Sequence, residues 1–85
     1  MNLAKLLKKY CTEFYISNID IARELSVSRS SVSLWLSGQR RPYIGLIKPL
    51  SRYLAKRMDK DEKKVIYEIL NSIIEDFGAG IKKNV

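Results

Sequence analysis

The side chains best suited to contact a partner cluster between residues 28 and 41. At about 100° per residue, Arg29, Ser30, Ser33, Leu34 and Ser37 share one side of a helical stretch. Val32, Trp35 and Leu36 share the other with Ser28. Most of the first group are short or polar, so little on that side obstructs close approach to a flat or grooved surface. Arg29 in a first turn opposes the helix dipole, and serines lower helix propensity. A face that accepts both costs reads as a surface for contact. Gln39, Arg40 and Arg41 follow in a loop. The forked donors of the two arginines suit phosphate oxygens, the plainer alternative being a solvated turn. Acid–base, nucleophilic and metal chemistry lack their parts. There is no His, Cys11 stands alone on an apolar helix stripe, and no carboxylate pair marks a pocket. The sequence therefore predicts no enzyme, no metal site and no cofactor, and it reads Cys11 as a small hydrophobe.

Those residues must be held by two short helices. Ser17 with Asp20 three residues on is a capping box in its Asp form, opening the first helix. Ile21 and Leu25 are its buried turns, and Ala22 is small enough for a second helix to pack closely. Ser26-Val27-Ser28 breaks the pattern, with Ser28 as the cap of the next helix. Gly38 closes that helix where a left-handed residue is needed, and Pro42 prevents a restart. So short a connection makes the two helices cross steeply.

Residues 17–37 with the Gly38-Gln39-Arg40-Arg41-Pro42 ending resemble the helix-turn-helix of the Cro/repressor (Xre-type) DNA-binding family. The resemblance rests on Ala22, on apolar Ile21, Leu25, Val27 and Val32, and on Trp35 before the loop. It continues in register through Ile44, Ile47, Ser51 and Leu54, covering residues 15–56, about half the chain. Two departures stand out: Ser26 where the family has Gly in the turn, and the shorter Asn18 where it has a phosphate-bonding Gln. A left-handed Ser26 carries a conformational cost. The resemblance implies an all-α, five-helix lambda-repressor-like domain that binds double-stranded DNA. It places Arg29, Ser30 and Leu34 at base-contacting positions, on the face already reached from helix geometry, with Ser28 and Ser33 secondary. Ser17, Asn18, Ser37, Gln39, Arg40 and Arg41 would hold the phosphate backbone. Arg29 suits a two-pronged contact with a guanine edge. Leu34 is read either as a contact for a thymine methyl or as an exposed leucine.

Charge is distributed accordingly. The 85 residues carry a net charge of +7, but residues 1–57 hold eleven Lys/Arg against three acids and residues 58–85 five against six, giving +8 and −1. The basic half contains the helix-turn-helix, as a nucleic-acid partner requires. A hydrophobic content of 46% is ample for a helical core. No signal peptide or membrane span is read, which predicts a cytoplasmic protein.

The remaining elements frame this unit. Leu3, Leu6, Leu7, Tyr10 and Phe14 give an amphipathic helix over 2–14, with Lys5, Lys8 and Lys9 off its stripe as either a phosphate-facing edge or a solvated face. Ile44, Ile47, Leu50 and Leu54 give a helix over about 44–57. Pro49 interrupts it, and the preferred expectation is one turn followed by a helix starting near Pro49. A last helix runs from Glu62 to Phe77 and ends at Gly78-Ala79-Gly80, with a frayed tail over Ile81–Val85. Its wide apolar stripe suggests a dimer contact through Ile66, Ile69, Leu70, Ile73, Ile74 and Phe77, the alternative being internal core. The domain reading is thus 1–57 for DNA binding and 58–85 as a dimerisation element packed on it. The functional expectation is a homodimeric transcriptional repressor reading a palindromic operator with residues 28–37. The alternatives are the DNA-binding antitoxin of a toxin–antitoxin pair and an adaptor using the same fold on protein.

Overall fold

The computed structural model describes residues 2–81. Five helices follow in order: α1 (Leu3–Phe14), α2 (Asn18–Leu25), α3 (Arg29–Ser37), α4 (Ile44–Met58) and α5 (Glu62–Ile81). The architecture is all-α. Residues 82–85, which held most of the tail expected to fray, lie outside the described residues.

Helix ends are set by short-range hydrogen bonding. Asn2, Ser17 and Ser28 each take an extended backbone at the N-cap, and each side-chain oxygen accepts the N–H three residues on, at 2.9, 3.1 and 3.1 Å. α1 to α4 all terminate on a left-handed residue: Tyr15, Ser26, Gly38 and Asp59. After Ser26, Gly38 and Asp59 the next residue bonds back five positions in the Schellman pattern: Val27 to Ala22, Gln39 to Leu34 and Lys60 to Ala55. Gly38 has φ 82°, so glycine serves the left-handed turn; a Cβ there would meet the Ala4 Cβ at 3.5 Å, an ordinary contact distance. Ser26 takes φ 56° without that freedom, as its departure from the family's glycine predicts.

α4 corrects the expectation of a break. It is one helix with Pro49 inside. Pro49 costs the bond to the Gly45 carbonyl, but both residues lie on the exposed side, where that carbonyl is open to solvent. Leu46, Ile47 and Leu50 bury the opposite side on both sides of the proline, and this packing keeps the first turn in line with the rest. Ile44, expected on the buried stripe, is 80% exposed. α5 also runs further than expected, through Gly78 and Gly80 to Ile81. Glycine inside a helix is a penalty of about 1 kcal/mol rather than a stop.

The core joins all five helices. Leu3, Leu7, Ile21, Val32, Leu50, Leu54, Val65 and Ile69 are essentially inaccessible, and Trp35, Ile16 and Tyr10 lie with them. Cys11 packs against this core, and burial pushes its thiol pKa up, as suits an inert hydrophobe. Ser51 and Ser72 are buried on α4 and α5, and each returns its hydroxyl to its own helix, to Ile47 O at 2.7 Å and Glu68 O at 2.9 Å. The Tyr10 hydroxyl donates to Glu68 Oε2 at 2.6 Å and ties α5 to α1.

Candidate nucleic-acid interface

The first turn of α2 and the outer face of α3 meet in a shallow depression. Asn18, Ile19, Arg29, Ser30, Ser33 and Leu34 line it. The fold thus gathers Asn18 with four of the five residues expected to read bases. The Asn18 amide donates to Ser33 Oγ at 3.0 Å, a bond that fixes α2 to α3 across the depression. Arg29, Ser30 and Ser33 are exposed and Leu34 is half-buried. Val32 and Trp35 lie in the core on the opposite side.

The capping serines are more committed than their sequence positions suggest. Ser17 Oγ accepts the Asp20 N–H, and the Ser17 hydroxyl and N–H return bonds to the Asp20 carboxylate. With Arg57 nearby, this holds the Asp20 pKa below the usual carboxylate range. Ser28 Oγ caps α3 and lies 2.9 Å from Ser31 Oγ. Ser37 donates its hydroxyl to Leu34 O at 3.1 Å. That same carbonyl receives the N–H groups of Gln39 and Arg40 at 3.0 and 3.2 Å. The backbone donors of Gln39 and Arg40 are therefore spent within the turn, and their side chains are what these two residues offer a partner.

Arg40 and Arg41 are exposed, and with Gln39 they border a cleft of about 350 Å³ that also includes Asn2, Ala4 and Asp76. Arg41 does not extend freely. Its guanidinium lies 4.0 Å from the centroid of the Phe77 ring, so one residue assigned to phosphate and one assigned to a dimer contact meet each other.

Three residues escape the sequence reading. Ile19 is 42% exposed in the depression because it lies off the Ile21–Leu25 stripe, and its exposure was readable from that offset. Arg57 reaches from the end of α4 to the Tyr53 hydroxyl at 2.6 Å, the Tyr15 carbonyl at 3.3 Å and Asp20 Oδ2 at 3.5 Å. It braces the first turn of α2, and no local signal reports contacts 37 and 42 residues apart. Tyr67 is the third, exposed on α5.

α5 divides differently from the expected strip. Ile69 is fully buried and touches only the interior, which corrects its assignment to a dimer surface. Ile73 packs against the core, and Ile66 is half-buried. Leu70, Ile74 and Phe77 are exposed, and with Tyr67 they recur at three-four-three spacing, the spacing by which helices pair in general.

The helix-turn-helix family model matches residues 7–60, which includes α2, α3 and the depression between them. The chain belongs to the Cro/C1/Xre-type helix-turn-helix family. It is a DNA-binding helix-turn-helix regulator. No curated protein and no solved structure matches the chain. Among the described residues no helix is long and apolar enough to cross a membrane.

Proposed function

We propose that this helix-turn-helix protein is a dimeric transcriptional repressor that reads a palindromic operator with α3 in the major groove. The observation that carries the reading is the depression between α2 and α3. Arg29, Ser30, Ser33 and Leu34 open onto one surface there, and no carboxylate lines it. Arg29 pairs with a guanine edge, Ser30 and Ser33 supply short hydroxyls, and Ser28 serves as cap first and contact second. Asn18, Ser37, Gln39, Arg40, Arg41 and the Ser17 cap lie along the phosphates, where affinity but little sequence information resides.

The seam of Tyr67, Leu70, Ile74 and Phe77 supports pairing of two α5 helices. An isologous pair would set two α3 helices about 34 Å apart on one face of the duplex. A bound dimer then represses by occluding polymerase.

The test is selection from a random duplex pool at two salt concentrations, followed by titration of Arg29→Ala. A palindrome with half-sites one turn apart, bound with steep salt dependence, is expected. Arg29→Ala then loses about 1–3 kcal/mol of discrimination at one base pair per half-site. Recovery of no motif would overturn the operator reading. A monomer at micromolar concentration would leave α5 for a different protein, as in an antitoxin.

A further inference from the structure

Ile19 is a large apolar side chain exposed on the first turn of α2, and a single exposed isoleucine is ordinary on any surface. Its setting is not ordinary. It shares the α2–α3 depression with half-buried Leu34, and these are the two hydrophobic residues among the six that line it. Around them stand Arg29, Ser30, Ser33 and Asn18. The last two are bonded to each other at 3.0 Å, the Asn18 amide donating to the Ser33 hydroxyl oxygen, which occupies one donor and one acceptor of the lining. The depression therefore combines two apolar side chains with an arginine and serine hydroxyls, and no acid lines it.

That combination restricts the occupant. A hydrophobic peptide would find only two apolar side chains, beside an arginine with no carboxylate in the lining to balance it. A single methyl carried on a polar, polyanionic surface meets both parts at once. In the major groove, the 5-methyl of a pyrimidine is that group: it stands beside hydrogen-bonding base edges and close to phosphate. We infer that Ile19 and Leu34 form one slot, built jointly by α2 and α3, that receives the 5-methyl group of a pyrimidine in the operator. The inference rests on the operator-reading proposal and adds to it that α2 reads sequence as well as positioning the backbone. The methyl has two sources, thymine and 5-methylcytosine, and the slot accepts either.

The full chain is titrated against the duplex recovered by selection, with each thymine in turn replaced by deoxyuridine, which removes the methyl alone. At one thymine per half-site the affinity should fall about fourfold, the value of one buried methyl group. In Ile19→Ala that sensitivity should vanish, so that the thymine and deoxyuridine duplexes bind equally. Ile19→Val, which keeps a branched apolar group, should retain it. A C·G pair at the sensitive position should bind better when its cytosine carries a 5-methyl than when it does not, which separates the methyl from the thymine carbonyl. Sequence-specific binding with no deoxyuridine effect, or with an effect undiminished in Ile19→Ala, would overturn the slot while leaving operator reading intact. Failure to select any duplex would overturn both.

Discussion

The two faces of α5 make opposite demands on substitution, and Ile69 and Ile74 are the pair that separates them. Ile69 is fully buried, whereas Ile74 is 65% exposed. Truncating a buried isoleucine to alanine costs about 2–5 kcal/mol, the lost transfer energy plus the cavity left behind. A domain of this length holds roughly 4–13 kcal/mol in total. Ile69→Ala should therefore lower Tm by about 8 °C or more, at about 4–8 °C per kcal/mol for a domain of this size. Ile74 has about a third of its surface covered, and full burial of such a side chain is worth about 1.5–3 kcal/mol. Ile74→Ala should thus cost the monomer under about 1 kcal/mol. Ile74→Glu should change monomer stability little more, yet place a charge on the seam and shift the monomer–dimer equilibrium by at least tenfold. Thermal melts at two protein concentrations report the first effect, and sedimentation equilibrium reports the second. If Ile74→Glu lowers Tm as far as Ile69→Ala in a dilute sample, α5 does not present two faces. If Ile74→Glu leaves association unchanged, the seam of Tyr67, Leu70, Ile74 and Phe77 is not the dimer contact.

Two other positions test the turn and the α1–α5 tie. Ser26 holds φ 56° at the end of α2, so Ser26→Gly should stabilise the chain by about 0.5–1 kcal/mol, the strain relieved less the added entropy of the unfolded glycine; a lower urea midpoint would show that the turn is not strained. Burial, and then the bond to Glu68, raises the Tyr10 pKa well above its ordinary value near 10. A raised pKa means that the folded state keeps a proton which the unfolded state releases, so this contribution is complete below pH 10 and declines as the pH rises further. Tyr10→Phe should be less stable at pH 7 by about 1–2 kcal/mol and show a shallower alkaline loss, measured by urea unfolding from pH 8 to pH 11.

Local chemistry made the middle of the chain legible. Ser17, Ser28 and Gly38 each signal through a bond three to five residues away, and the three-four spacing around them places Ile21, Val32 and Trp35 in the core. The proposed recognition face follows from the same spacing, because Arg29, Ser30 and Ser33 are what remains when the core side is removed. Legibility fails where the deciding contact is distant. Pro49 reads as an end by local rules, but buried Leu46, Ile47 and Leu50 hold the helix across it. Tyr15 takes a left-handed conformation that nothing in its residue type announces, whereas Asp59 is of a type that tolerates one. The apolar residues of α5 recur in adjacent pairs, so periodicity alone could not say which member of each pair faces inward. Contact with α1 and α4 decides it, burying Val65 and Ile69 and leaving Leu70 and Ile74 outside.

The charge boundary near residue 57 is not a boundary of folding. Val65 and Ile69 complete the core that Leu50 and Leu54 begin, and Tyr10 reaches across to Glu68. A further link is at the other end of α5, where the guanidinium of Arg41 in the basic loop lies over the Phe77 ring. A guanidinium engaged through its flat face keeps its N–H donors in the plane, at the edge, where they still suit a phosphate. Stacking also orders a side chain that would otherwise lose about 0.5–1.5 kcal/mol of freedom on binding. Arg41 therefore need not choose between α5 and the proposed phosphate contact, since the ring would hold the guanidinium ready for it. Asp76 borders the same cleft, one residue before the ring, so the acidic half of the chain supplies both the platform and a neighbouring opposite charge for the basic loop. The +8 of residues 1–57 is thus presented by a scaffold that residues 62–77 complete. Pairing along the Tyr67–Phe77 seam would act on the basic loop directly, through Phe77, as well as by bringing a second α3 onto the proposed operator.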